Sequence, residues 1–353
     1  MISLKIKKLA EILVNYSIGV KRGEHVKITL IDNGLPLLQE VYKLCIQRGA
    51  HVCTEIINTE IEKIFYKYSD SKQLTYFPDY FLMMSDWIDC GITINGPSNT
   101  AYLSDINPDK ISIRGKAGKL NSKKTREKRS VSCNFPCEAL ANDAGMSLKA
   151  YENFYYGATI INYNVISKNQ DKIKKILDHG KNVRIIGNNT DISFSIKGHK
   201  ALKGDGHVDI PDGEVYITPD KNSAQGHITF EFPAIFKGNE VSGIYLEFHK
   251  GIVKKALAKS NKRFLDSRLN VDEGSKRLGE FGIGTNYMIK KFTKDILCDE
   301  KIGGTIHLAL GNAYTGGNTA NKSAVHWDLI KDMRKGGAIE IDGKLFQKNG
   351  RFL

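Results

Sequence analysis

At 353 residues the chain is longer than one hydrophobic core usually serves, so two lobes are expected. Its 41% hydrophobic and 26% charged residues exclude a disordered or collagen-like chain, and no apolar run reaches the roughly 18 to 20 residues of a membrane helix. The net charge of +13 draws anions to the surface, but the densest basic run, 115–130, has no aromatic ring on which a base could stack. A solvated loop is expected there, and no nucleic-acid partner.

Leu4, Ile6, Leu9, Ile12, Leu13 and Tyr16 recur mostly at three- and four-residue gaps, which predicts an opening amphipathic helix. This start has neither the apolar core nor the cleavage site of a signal peptide, and the cysteines are widely spread. A cytoplasmic protein with reduced thiols is expected. HVKITLI (25–31) and HVCTEII (51–57) flank a helical stretch with Pro36 early and Gly49 late. That is a βαβ unit and hence a parallel sheet. GITINGP (91–97) predicts a further strand. The loop after the first strand, IDNGLP, lacks the Gly-x-Gly-x-x-Gly cradle of a dinucleotide site, so NAD is excluded.

From Asn182 onward, short β-branched and aromatic runs alternate with glycine turns, which predicts antiparallel hairpins, with helical segments near 260–278. The expected fold class is α/β. An amino-terminal α/β domain (1–175) with a parallel sheet precedes a strand-rich α+β domain (176–353) that carries the functional residues. The boundary is expected near the basic helix DKIKKILDHG, between residues 167 and 182.

In the second half, five acidic or imidazole side chains stand in segments whose neighbours are apolar or glycine. They are Glu214 in PDGEVYITP, Glu280 in RLGEFGIGTN, His307 in GGTIHLALGNAY, and His326 with Asp328 in SAVHWDLI. Desolvating such a group is costly unless it is paired, hydrogen-bonded or metal-bound. His326 and Asp328 are two apart, so on a strand both emerge on one face while Trp327 turns into the core. Carboxylates and imidazoles without cysteine suit an open hydrolytic site for two divalent ions such as zinc, cobalt or manganese. Hydrogen-bonded core residues would give the same pattern, and residue type with spacing leaves both readings open. GIGTN (282–286) reads as a plain turn.

The motifs LAEILVNYSIGVKRGEHVKI, FPCEALANDAGMSLKAYENFYYGA, PDGEVY, LGEFGIGTN, DEKIGGTIHLALG and NKSAVHWDLI, in this order, resemble the M29 family of metallo-aminopeptidases. The resemblance implies a two-lobe subunit, usually a homodimer, that acts on peptide substrates with a dinuclear metal site in the carboxy-terminal lobe. It implies Glu214, Glu280, His307, His326 and Asp328 as metal ligands. Tyr314 matches the family tyrosine after the first histidine, and Glu300 matches an acidic position before it. The segment between His307 and His326 is shorter than the family pattern. The implied mechanism uses a metal-activated water, Glu280 or Glu300 as proton acceptor, and Tyr314 as donor to the oxyanion. The dihydroxypyridine dioxygenases resemble the same fold. A mononuclear iron ring-cleaving enzyme is therefore the alternative, and a catalytically silent homologue is a further one.

Overall fold

The structure is a computed structural model and describes residues 3–236, 238–314 and 317–353. The chain forms two compact units, Met1–Ile161 with Gly206–Pro211, and Asn162–Asp205 with Asp212–Leu353. Set beside the expected division at 175, the first unit ends earlier and takes back a short segment. The helix Tyr163–His179 goes to the second unit because Ile173 and Leu177 pack into that unit's core.

In the first unit, Val26, Ile28 and Leu30 on the strand His25–Asp32 are buried at every second position, the period of a pleated strand. The helix Leu35–Gln47 starts with proline in its first turn and turns Leu37, Leu38, Val41 and Cys45 inward. The strand His51–Ile57 then pairs parallel to the first, from His25 with His51 to Ile31 with Ile57. Cys90–Gly96, Arg129–Asn134 and Asp209–Ile210 extend the sheet on the other side, all parallel. The amino-terminal parallel sheet is as the sequence predicts. The opening helix is α-helical over Leu4–Glu11 and π-wound over Ile12–Ser17.

The basic run departs from expectation. Instead of a loop it forms the end of the helix Pro108–Ala117, the whole helix Lys119–Arg126 and the start of the strand Arg129–Asn134. Neither helix fully buries a residue, so no apolar stripe announces them. The first is held at its start by Asn107, whose side chain accepts the Asp109 N–H, and the second by Lys124 on Asp86 at 2.6 Å.

The second unit is strand-rich. One antiparallel sheet of eight strands runs in the order 252–257, 245–249, 225–229, 190–195, 182–187, 338–341, 344–348, 351–352. A second, five-stranded sheet runs His326–Asp332, Thr305–Gly311, Leu278–Gly284, Glu214–Ile217, Leu202–Gly204, again antiparallel. The helix Lys262–Leu269 and the turn Glu273–Lys276 lie where helical segments are expected. The expected turn at 282–286 is corrected: residues 282–284 complete a strand buried at every position. Among the described residues no helix is long and apolar enough to cross a membrane.

Candidate metal centre

Alternation sorts the five-stranded sheet into two unlike faces. Val215, Phe281, Ile283, Leu308, Trp327 and Leu329 line the face that packs into the core of the unit. Trp327 meets Phe264 at 6.2 Å between ring centroids, as its position between two polar residues predicts. Glu214, Glu280, His307, His326 and Asp328 share the opposite face. The register sets all five across from a minimal side chain: Glu214 from Gly284, His307 from Gly282, Glu280 and Asp328 from Ala309, and His326 from Gly311.

Two local features make this face possible. A Cβ at Gly282 would lie 2.0 Å from His307 Nε2, so only glycine lets the imidazole lie flat over the neighbouring strand. A register shift between Leu278 and Glu280 lets Leu278 enter the core while Glu280, two residues on, points the other way. Re-aiming a side chain is what a bulge does.

His307 has no solvent exposure. Its Nδ1 donates to the Glu300 carbonyl at 3.2 Å, and since a carbonyl only accepts, Nε2 is the atom turned to the acids. That nitrogen lies 3.2 Å from Glu280 Oε1 and 3.2 Å from Glu214 Oε2. His326 repeats the arrangement, with Nδ1 donating to the Asn312 carbonyl at 2.8 Å and Nε2 at 3.3 Å from Asp328 Oδ2. Anchoring one ring nitrogen on a backbone carbonyl fixes the other as a ligand atom.

Two groups of donors result. Atoms of Glu214, Glu300 and His307 all lie within 4.8 Å of one another, and so do atoms of Glu280, His307 and Asp328. His307 belongs to both, and His326 adjoins the second through Asp328. Glu300, which follows the short helix Ile296–Asp299, therefore stands inside the cluster. Tyr314 is exposed, with its ring 4.5 Å from that of His326.

The sequence reading did not single out three residues here. Lys301 is fully buried, with Nζ bonded to Glu300 Oε1 and 3.5 Å from Glu214 Oε1. Its flanking run of isoleucine and glycines is the signal that would have found it. Gln170 donates from Nε2 to the carbonyls of Gly204 at 2.7 Å and Glu214 at 3.0 Å, which holds the Glu214 strand in place. Tyr216 shares the polar face, and burial plus the charges of Glu280 and Glu214 push its phenol up.

The electrostatics are those of crowded acids out of water. Burial drives Glu214 and Glu300 upward, opposed by the Lys301 ammonium. Burial resists charging His307, but its bond to Glu280 and the nearby carboxylates prevail and lift it to about 10. His326 rises against burial to about 9 through Asp328. Asp328 is held low by His326 in spite of burial.

The donor set fits divalent cations. Glu214 Oε2 and Asp328 Oδ1 are buried with no hydrogen-bond partner; the His307 imidazole approaches the first closely but out of line for a bond. Four converging carboxylates carry more negative charge than the Lys301 ammonium offsets. Unpaired buried anions are expensive, and oxygen atoms left open toward a common point are what an ion would complete. Two acid and histidine groups sharing His307 are compatible with a dinuclear centre.

Comparison with known proteins places the chain. Over 353 aligned residues the chain is 23% identical to aminopeptidase 2 of Geobacillus stearothermophilus, covering 88% of this chain and 84% of that one. The fold matches wild-type AmpT of Thermus thermophilus with a TM-score of 0.87 at 20% identity, over 99% of both chains. It also matches 2,5-dihydroxypyridine dioxygenase of Pseudomonas putida with a TM-score of 0.60 at 11% identity, over 99% of this chain and 96% of that one. At such identities the structural likenesses speak for the fold alone. The family model of thermophilic metalloproteases (M29) matches residues 3–352, and the chain belongs to that family.

Proposed function

We propose that this protein is a metal-dependent aminopeptidase that removes amino-terminal residues from peptides. The observation that carries the proposal is the pair of donor groups meeting at His307. Glu214, Glu280, His307, His326 and Asp328 would hold two divalent ions, with zinc, cobalt and manganese the metals suited to imidazole and carboxylate donors. Bound there, such ions supply Lewis acidity and a water acidic enough to be hydroxide near neutral pH.

The chain's own groups do the rest. Glu280 or Glu300 accepts the proton of the attacking water on a carboxylate oxygen and returns it to the leaving amine. Tyr314, beside the His326 ring, donates its hydroxyl to the oxyanion. The buried sheet face keeps bulk water from the acids, which strengthens every charge interaction there. A cytoplasmic homodimer of this two-unit chain completes the proposal. A one-iron ring-cleaving site needs two imidazoles and one carboxylate; the further acids Glu214, Glu280 and Glu300 favour the two-ion reading.

The test is a panel of aminoacyl chromogenic amides assayed with added zinc, cobalt or manganese. Hydrolysis that requires both metal and a free amino terminus is expected. Equal hydrolysis of amino-blocked amides, or turnover only of dihydroxypyridines with ferrous iron, would overturn it.

A further inference from the structure

Lys301 has no solvent exposure, and its ammonium is shared between Glu214, 3.5 Å away on the sheet, and Glu300, its neighbour in the chain. Both carboxylates belong to the donor group Glu214–Glu300–His307. In the other group, Glu280 and Asp328 stand against the imidazoles of His307 and His326. His307 Nε2 also reaches Glu214 Oε2 at 3.2 Å, so the imidazole serves both halves, and the ammonium is what distinguishes the Glu214–Glu300 half. A neutral imidazole has a lone pair and serves as a ligand, whereas an ammonium has three donors and no acceptor. Its Nζ lies against Glu214 Oε1 while Oε2 stays open, and a divalent ion that joins these carboxylates meets the ammonium at close range, where two cations repel strongly in a buried site.

We propose that Lys301 is the resident cation of the Glu214–Glu300–His307 half, so that the centre fills in a fixed order. The first ion enters at Glu280–His307–Asp328, and a second enters the Glu214–Glu300 half only against the repulsion of the ammonium. The assignment rests on the metal-dependent reading above. Lys301 acts here as a positioning residue that neutralises one half of the metal-free centre and weakens its second ion.

The test uses the full chain, freed of metal by chelation and titrated with zinc alone, followed by calorimetry and by metal analysis after dialysis. The wild type is expected to bind two ions in steps separated by at least about tenfold in affinity. In Lys301→Met the second step tightens by about tenfold or more while the first moves less than about threefold. Lys301→Arg, which keeps the charge, retains the separation. The metal-free Lys301→Met protein melts lower than wild type, and zinc raises its midpoint by more than it raises that of wild type.

A measurement on the unmodified chain covers the case in which a variant does not fold. At one zinc per chain, anomalous scattering is expected at Glu280–His307–Asp328 alone. Equal occupancy of both halves, or an unchanged second step in Lys301→Met, would overturn the assignment and leave the dinuclear reading intact. Absence of any ion at His307 under saturating zinc would overturn the metal reading, and this assignment with it.

Discussion

Two inner strands, His25–Asp32 of the first unit and Thr305–Gly311 of the second, handle polar residues in opposite ways. In the first, buried Val26, Ile28 and Leu30 alternate with half-buried positions, and Lys27 reaches Glu55 of the next strand at 2.6 Å, where water still helps both charges. In the second, every position is buried, and His307 sits among acids with oxygen atoms left unbonded. A strand that only supports a fold keeps ions near solvent. Convergent buried acids cost stability, and that cost marks a site.

The sharpest way to break this comparison is at the polar face. Asp328→Ala or Glu280→Gln is expected to lower aminopeptidase kcat/KM by more than about 100-fold, and the metal-free protein to melt lower than wild type, because His326 or His307 loses its buried carboxylate partner. Full activity in either variant, measured with saturating metal, would remove that residue from the centre. Gly282→Ala comes next. Its Cβ has no room beside His307, so it should cost about 1 to 3 kcal/mol of stability in denaturant titration and weaken zinc binding as well.

In the first unit the expected pattern reverses. Ile28→Ala, at a fully buried position, should cost about 2 to 5 kcal/mol of stability but leave turnover per folded molecule unchanged, as judged by active-site-normalised kinetics.

The two units should also differ in pH dependence. Burial works against the Asp32 carboxylate, yet bonds from Thr59 and Ser98 outweigh it and hold its pKa down. Its contribution is present above an unfolded value of about 3.9 and is lost as the pH falls through the lower folded value. His307 and His326 are raised to about 10 and about 9. Their contribution is complete below an unfolded value of about 6.5 and is lost as pH rises through those folded values. Glu214 and Glu300 are shifted in the same direction. Metal-free protein should therefore melt about 5 °C lower at high pH than at neutral pH, and calorimetry with and without zinc would show whether metal cancels the drop. The smallest effect is expected on the basic helices, where Lys124→Ala removes an exposed ion pair worth less than about 1 kcal/mol and leaves hydrolysis unchanged.

How much of this was legible in the sequence follows from what periodicity can carry. The alternation in HVKITLI and HVCTEII was enough for the parallel sheet, because each strand buries alternate residues. The two-residue spacing of His326 and Asp328 was enough to place them on one face. The helices 108–117 and 119–126 were not legible, since they bury nothing completely and leave no stripe. The strand through GIGTN was hidden because Gly282 makes room for the His307 ring and Gly284 for the Ile302 backbone, rather than either serving a turn. Lys301 passes for an ordinary surface lysine unless the isoleucine and glycines after it are weighed, for its partner Glu214 is far away in the chain. The bulge that turns Glu280 away from the core breaks the very alternation used to find strands.

The central claim is that one face of one sheet gathers two divalent ions about His307. A crystal of the full chain saturated with zinc, measured at the zinc absorption edge, tests it most directly. Two anomalous peaks are expected roughly 3.5 to 4 Å apart, one bounded by Glu280, His307 and Asp328 and the other by Glu214, Glu300 and His307. Zinc bound only at surface histidines, with no peak within reach of His307 Nε2, would contradict the account.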